Sequence, residues 1–327
     1  MKVNLIIFLL TILVTIISGK LVIPLLKKLK IGQTILHYVK EHKGKEGTPT
    51  MGGLFCIIPP IILYFIFCGF NLRISVVSIT IGLAYLLVGF LDDFIKIKFR
   101  KNEGLKAYQK IVFQLLIAIF AGVFAYVNGL TLFFIPFTKS TVNLGVFTIP
   151  VVIFIFLAIT NSVNLTDGLY GLAGSVSTIY LIILAVIIYL QTSYFQNVYL
   201  QMEEYNGLIT LIICLVGGII GFLTFNVSKA KVFMGDTGSL SLGGFIGAIS
   251  IFSLNSFFIP ILGIMFVLSS ISVIVQVLYF KKTKKRVFLM APLHHHFQHK
   301  GYTESQISFA YSVVTLVAGV ICVIGCL

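Results

Sequence analysis

Ten stretches of this 327-residue chain are apolar over lengths close to a membrane crossing, and that pattern restricts its fold more than any other feature. They run near 3–26, 51–70, 73–91, 109–128, 149–165, 169–190, 207–225, 239–255, 257–280 and 306–326. Hydrocarbon offers no water to backbone N–H and C=O groups, so an apolar segment of about 20 residues crosses it as an α-helix. The pattern predicts an all-α integral membrane protein with ten transmembrane helices, built as one polytopic domain over residues 1–327. Only 10% of the residues are charged, against about 25% in a soluble domain. An ordinary soluble fold is excluded. The net charge of +14 does not point to nucleic acid either, because the basic residues cluster between apolar runs rather than on one face of a soluble domain.

The placement of those cations orients the chain, since inner loops of membrane proteins collect Lys and Arg. With both termini outside, the inner loops are 27–50, 91–108, 166–168, 226–238 and 281–305, and these loops with their edges hold 20 of the 24 cations. Lys2, Arg73 and Lys139 fall outside, and Lys20 lies within the first helix. Between the fourth and fifth segments, short apolar runs flank Thr138 to Thr141 and predict a small outer hairpin. No internal repeat of the kind common in secondary transporters is visible, and no ionisable residue other than Lys20 lies near a helix centre.

The aspartates are few: Asp92, Asp93, Asp167 and Asp236 are all there are. In this topology every one lies at the inner boundary of the membrane, where a carboxylate is costly unless paired or coordinated. Four acids converging on one face imply a cation, and hard oxygen ligands without cysteine point to Mg²⁺ or Mn²⁺. Asp92 and Asp93 are adjacent at a helix end and point about 100° apart, so that one can hold a metal while the other faces a reactant. Asp167 sits in Asn164-Leu165-Thr166-Asp167-Gly168-Leu169-Tyr170-Gly171, a polar break in which Gly168 and Gly171 let backbone approach a ligand. Asp236 sits in Phe233-Met234-Gly235-Asp236-Thr237-Gly238-Ser239, ahead of a helix whose free N–H groups favour an anion.

Two further inner-loop tracts complete the set. Ala291 to His299 contains His294, His295 and His296, donors suited to an anionic headgroup. Lys45 to Gly53 contains hydroxyls, among them Thr50, and glycines at a loop-to-helix boundary.

Together the tracts KEGTPTMGG (45–53), LDDF (91–94), NSVNLTDGLYG (161–171), FMGDTGSL (233–240) and APLHHHF (291–297) resemble the motif set of the phospho-N-acetylmuramoyl-pentapeptide transferase family. The resemblance spans nearly the whole chain in the family's order. It implies a Mg²⁺-dependent phosphoglycosyl transferase of peptidoglycan synthesis in a bacterial plasma membrane, with its site on the cytoplasmic face. It implies UDP-N-acetylmuramoyl-pentapeptide and undecaprenyl phosphate as substrates, with lipid I and UMP as products. A relative of the same superfamily acting on a UDP-N-acetylhexosamine is the alternative. By the family's pattern Asp92, Asp93, Asp167, His294, His295 and His296 are catalytic, Asp236 and Asp167 hold metal, and Lys45, Thr50, Asn164, Phe233 and Gly168 bind substrate, with Phe233 stacking on uracil. Tyr170 and Gln298 depart from the family, which usually carries aspartate and glutamate there. Monomer and homodimer are both open.

Overall fold

The computed structural model describes residues 2–28, 47–99, 104–138, 140–194, 202–227 and 230–326. The helices are α1 Lys2–Lys28, α2 Gly53–Cys68, α3 Arg73–Phe99, α4 Ala107–Val127, α5 Thr148–Thr166, α6 Leu172–Tyr194, α7 Met202–Asn226, α8 Gly235–Phe252, α9 Ile259–Leu262, α10 Ile264–Thr283, α11 Leu293–His299 and α12 Glu304–Ile324. Among the described residues, eight helical segments are long and apolar enough to cross a membrane: 2–28, 73–99, 107–127, 145–166, 172–192, 202–226, 264–283 and 304–324. The shorter α2 has 16 residues and carries Pro59 and Pro60. The chain is thus an integral membrane protein whose helices turn large apolar side chains outward, among them Leu9 on α1, Leu116 on α4, Leu278 on α10 and Phe309 on α12. In water such a surface would be an aggregation hazard; in a bilayer it faces its own solvent.

At the centre lies α8, whose residues from Thr237 to Phe252 are all buried. Its glycines and serines make that position tenable. A Cβ on Gly243 would come within 2.6 Å of the Thr160 Cα on α5. A Cβ on Gly89 of α3 would run into the carbonyl oxygen of Asp236. Small residues let helix backbones approach closely where burial from water supplies no drive between helices. That approach brings the end of α3 onto the start of α8.

Two boundaries differ from the sequence expectation, and both bear on the site. α3 runs on to Phe99, so Asp92 and Asp93 lie within it, ahead of its last turn, rather than at its end. Lys96, three and four residues further on, faces both carboxylates, and this pairing lets the helix carry them. Likewise α8 begins at Gly235, so that Asp236 is in its first turn, where a carboxylate complements the helix dipole. The predicted ninth segment is broken at Gly263 into α9 and α10, and the histidine tract forms the short helix α11.

Strands β1 Leu132–Ile135 and β2 Ser140–Asn143 pair antiparallel, with Phe133 opposite Val142. Phe133 and Phe134 are buried against Phe257 and Phe258 at 5.5 and 5.9 Å between ring centroids. The Phe137 N–H donates to the Gly325 carbonyl at 3.0 Å, tying the hairpin to the end of α12. α1 runs parallel to α7, with Thr11 beside Gly217 and Thr15 beside Gly221. The last described turn of α12, at Gly325, lies beside the hairpin.

Candidate active site

Four helix ends meet around Asp236. α3 contributes Asp92, Asp93 and Lys96; α8 contributes Asp236 and Thr237; α4 contributes Lys110 from its first turn; α5 contributes Asn164 from its last. The Lys96 ammonium donates to Asp236 Oδ2 at 3.0 Å and also contacts Asp92 and Asp93. Lys110 donates to the same Asp236 oxygen at 2.9 Å and to Asn164 Oδ1 at 3.3 Å. The Asn164 amide donates to Asp236 Oδ1 at 2.7 Å and to Ser239 at 2.8 Å. Asp236 is thus held on both oxygens. Below it, Gln114 of α4 and Asn161 of α5 exchange amide hydrogen bonds at 2.8 and 3.4 Å, which fixes the two helices against each other.

Asp93 faces the start of α8, accepting from the Thr237 N–H at 3.0 Å and the Thr237 hydroxyl at 2.7 Å. It caps a helix to which it does not belong. Asp92 accepts from the Leu105 N–H at 2.8 Å, tying α3 to the segment entering α4. The side chains of both are almost fully buried. One oxygen from each of Asp92, Asp93 and Asp236 lies within 4.8 Å of the other two. This is a set of hard donors suited to an oxygen-seeking divalent ion, and a cation is already drawn to it in the form of Lys96.

Asp167 is adjacent but not part of that trio. It caps α5, and burial pushes its carboxyl up to about 7, with the charges of Asp236 and Asp93 adding to the rise. Of the expected pair Asp167 and Asp236, Asp236 thus joins a tight group with Asp92 and Asp93, and Asp167 lies beside that group. The reason is that Gly89 permits the close approach of α3 to α8, whereas Asp167 follows the last turn of α5.

The segment before α2 is bound to the segment before α8. The Phe233 N–H donates to Pro49 O at 2.8 Å, and Gly52 N–H returns the bond to Phe233 O at 2.8 Å. Thr50 is carried along, with its hydroxyl oxygen buried and without a hydrogen-bond partner. At Gly235, whose φ is +73°, a Cβ would come within 2.5 Å of both the Thr50 hydroxyl and Asp93 Oδ2. Only glycine leaves room there and tolerates that backbone. Lys45 lies outside the described residues.

The histidines divide. A Cβ on Gly168 would meet His294 Nε2 at 2.6 Å and His295 Nε2 at 3.4 Å, so both rings face the turn that carries Asp167. His296 instead accepts from the Leu289 N–H at 3.1 Å and sits edge-on to Phe288. Successive helical positions diverge by about 100°, so α11 cannot aim all three at one place. Phe233 lies parallel to Tyr170, at 6.0 Å and 10°. Tyr170 thus extends the aromatic surface beside the site.

Reading the sequence for acids and motifs missed Lys96, Lys110 and Thr237 as site residues, and it passed over Glu304. For Lys96 the signal was present, as a lysine three and four residues after an aspartate pair on a helix. Lys110 carried none, because its role depends on where α4 docks.

The geometry agrees with what the chain is similar to. Residues 75–254, which contain the three clustered carboxylates, match the model of glycosyl transferase family 4. Residues 45–57 match signature 1 of phospho-N-acetylmuramoyl-pentapeptide-transferase. A protein of that name from Clostridium botulinum (strain Eklund 17B / Type B) is 42% identical over 310 residues, covering 94% of this chain and 91% of the relative. Another from Thermoanaerobacter sp. (strain X514) is 42% identical over 304 residues, covering 92% of each. A third from Clostridioides difficile (strain 630) is 39% identical over 318 residues, covering 96% and 94%. With the carboxylate site inside the matched region and the likeness running over nearly the full length of both chains, this protein belongs to the phospho-N-acetylmuramoyl-pentapeptide-transferase family.

Proposed function

We propose that the chain moves phospho-N-acetylmuramoyl-pentapeptide from its UDP-linked donor to undecaprenyl phosphate, releasing UMP and leaving lipid I in the bilayer. The observation that carries this is the meeting of three carboxylates with the ammonium groups of Lys96 and Lys110 at one end of a lipid-facing bundle. Such a site can receive a water-soluble diphosphate and a lipid phosphate together. We place it on the cytoplasmic face of a bacterial plasma membrane, in a bundle of ten crossings that adds α2 and α8 to the eight long spans. The support is the cation bias, since the topology with this end inside leaves 20 of the 24 cations in the inner loops or at their edges.

Asp92, Asp93 and Asp236 would hold Mg²⁺, to which their oxygen donors are suited. When bound, the ion supplies positive charge that offsets the donor diphosphate and the charge gathering on the leaving UMP. The protein's own groups do the rest. Lys110 and Asn164, fixed on Asp236, present a cation and an amide to phosphate oxygens. The bond formed joins an oxygen of the lipid phosphate to the sugar-bearing phosphorus; the bond broken is that phosphorus to the bridging oxygen, which leaves with UMP. Asp92 accepts any proton still on the attacking phosphate. We favour direct attack by the lipid phosphate, with Asp93 anchored to the start of α8 through the one oxygen that accepts from the Thr237 N–H and hydroxyl. Phe233 and Tyr170 offer a surface for uracil. Thr50, Gly168, His294 and His295 line the donor side, with His296 at the margin.

The test is UMP release by the purified chain. Release is expected only when UDP-N-acetylmuramoyl-pentapeptide, undecaprenyl phosphate and Mg²⁺ are all supplied. Equal turnover of UDP-N-acetylglucosamine would move the reading to the hexosamine branch, and full activity without a divalent ion would remove the metal from it.

A further inference from the structure

Glu304 belongs to none of the motifs, yet its carboxylate joins three elements. It sits in the first turn of α12, just after the Thr303 cap. One oxygen accepts from the Tyr170 N–H at 2.9 Å, and the other accepts from the Gln298 side-chain amide at 3.3 Å. The opposite end of that amide is 3.0 Å from His295 Nδ1. The Ser308 hydroxyl, one turn further along α12, donates to the Tyr170 carbonyl at 2.9 Å and fixes the same loop a second time.

This chain of contacts sets a proton. A carboxylate only accepts, so the end of the Gln298 amide turned to Glu304 is its NH₂. Its oxygen is then turned to His295, and because that oxygen also only accepts, Nδ1 of His295 carries the ring proton. In the neutral ring the lone pair is then on Nε2, the atom that lies 3.4 Å from where a Gly168 side chain would begin.

We propose that Glu304 is a positioning residue for the transfer. Acting through Gln298, it holds His295 as the Nδ1–H tautomer, so that Nε2 accepts a hydrogen bond from a hydroxyl or amide N–H of the nucleotide-sugar donor at the Asp167–Gly168 turn. This inference rests on the functional reading given above.

The variant Glu304→Gln tests it with little change of shape. Its oxygen stays with the Tyr170 N–H and its NH₂ turns to Gln298, which must reverse and present NH₂ to His295. The ring is thereby driven to the Nε2–H form. The expected result in the full chain is a fall of about 10- to 100-fold in kcat/KM for the donor, with KM for polyprenyl phosphate unchanged. Exchanging the two groups, in Glu304→Gln with Gln298→Glu, restores an acceptor at 298 that takes the His295 Nδ1 proton, and recovery to within about threefold of the parent is expected. Nitrogen-15 NMR of histidine-labelled protein, with the His295 signals identified by their loss in His295→Asn, reads the tautomer without any turnover. Wild-type His295 found as Nε2–H overturns the proposal, even if a variant fails to fold. So does a Glu304→Gln enzyme with unchanged kcat/KM, or a double variant no better than that single one. A wild-type chain that releases no UMP defeats the functional reading instead, and the tautomer measurement still decides this one.

Discussion

Removing Lys110 should pull metal affinity and turnover in opposite directions. Asp92, Asp93 and Asp236 set against Lys96 and Lys110 leave the cluster with one net negative charge, and Lys110→Met makes it two. Lys110 lies 2.9 Å from an Asp236 oxygen, and an Mg–O bond is about 2.1 Å. An ion on that oxygen is therefore within about 5 Å of the ammonium. At that separation and an effective dielectric of about 20, a divalent ion and a unit charge repel by about 7 kcal/mol. The side chains of Lys110 and Asp236 are 17% and 19% exposed, and a lysine can swing toward water. We retain about a third of that repulsion, ~2 kcal/mol, or about a 30-fold gain in affinity. Titration of the purified protein with Mn²⁺, followed by electron paramagnetic resonance, measures the gain directly. Turnover should meanwhile fall about 100-fold, because the donor phosphates lose a fixed cation. Unchanged or weaker Mn²⁺ binding in Lys110→Met would refute the idea that the lysine and the metal share Asp236.

Three further outcomes follow from the same geometry. Asp236→Asn removes the carboxylate shared by Lys96, Lys110 and Asn164, and should abolish Mn²⁺ binding and lower UMP release by more than about 100-fold; full activity in this variant would remove Asp236 from the metal site. Asp167 titrates near 7 in the folded chain instead of at its ordinary 3.8, so the folded state holds this proton more tightly than the unfolded one. Its contribution to stability therefore falls as pH rises from about 4 to about 7 and is level above; melting curves across that range should be flatter for Asp167→Asn than for the wild type. Gly89→Ala places a methyl on the Asp236 carbonyl oxygen and pushes α3 off α8. A loss of about 1–3 kcal/mol in stability, with weaker Mn²⁺ binding, is expected; an unaltered melting temperature would show that the two helices have slack.

Much of this architecture is legible along the chain because its rules are one-dimensional. Apolar length marks the crossings, and the ranges found for α1, α4, α5 and α12 lie within a few residues of those read from hydropathy. The acids stand out because there are only four aspartates in a lipid-bound chain. The boundary of α3 was harder to read. Hydropathy ends a helix where charges begin, but Lys96 neutralises Asp92 and Asp93 from the following turn, and the helix continues. The break of the ninth segment at Gly263 was hidden too, since isoleucine and leucine flank it on both sides.

By itself the sequence determined the solvent, the orientation tendency and the chemical inventory of this protein, because each depends on what residues are and on how many follow one another. Only the tertiary structure decided which inventory items share a site. Asp167 and Asp236 both sit in glycine-flanked turns, yet it is Asp92 and Asp93 that join Asp236, because Gly89 lets two backbones meet where any side chain would hold them apart. Lys110 and Glu304 look like ordinary loop and helix-cap charges until α4 and α12 dock and bring them to Asp236 and Gln298. Contacts between residues far apart in the chain are set by how helices pack, and packing depends on the shapes of all the surfaces at once.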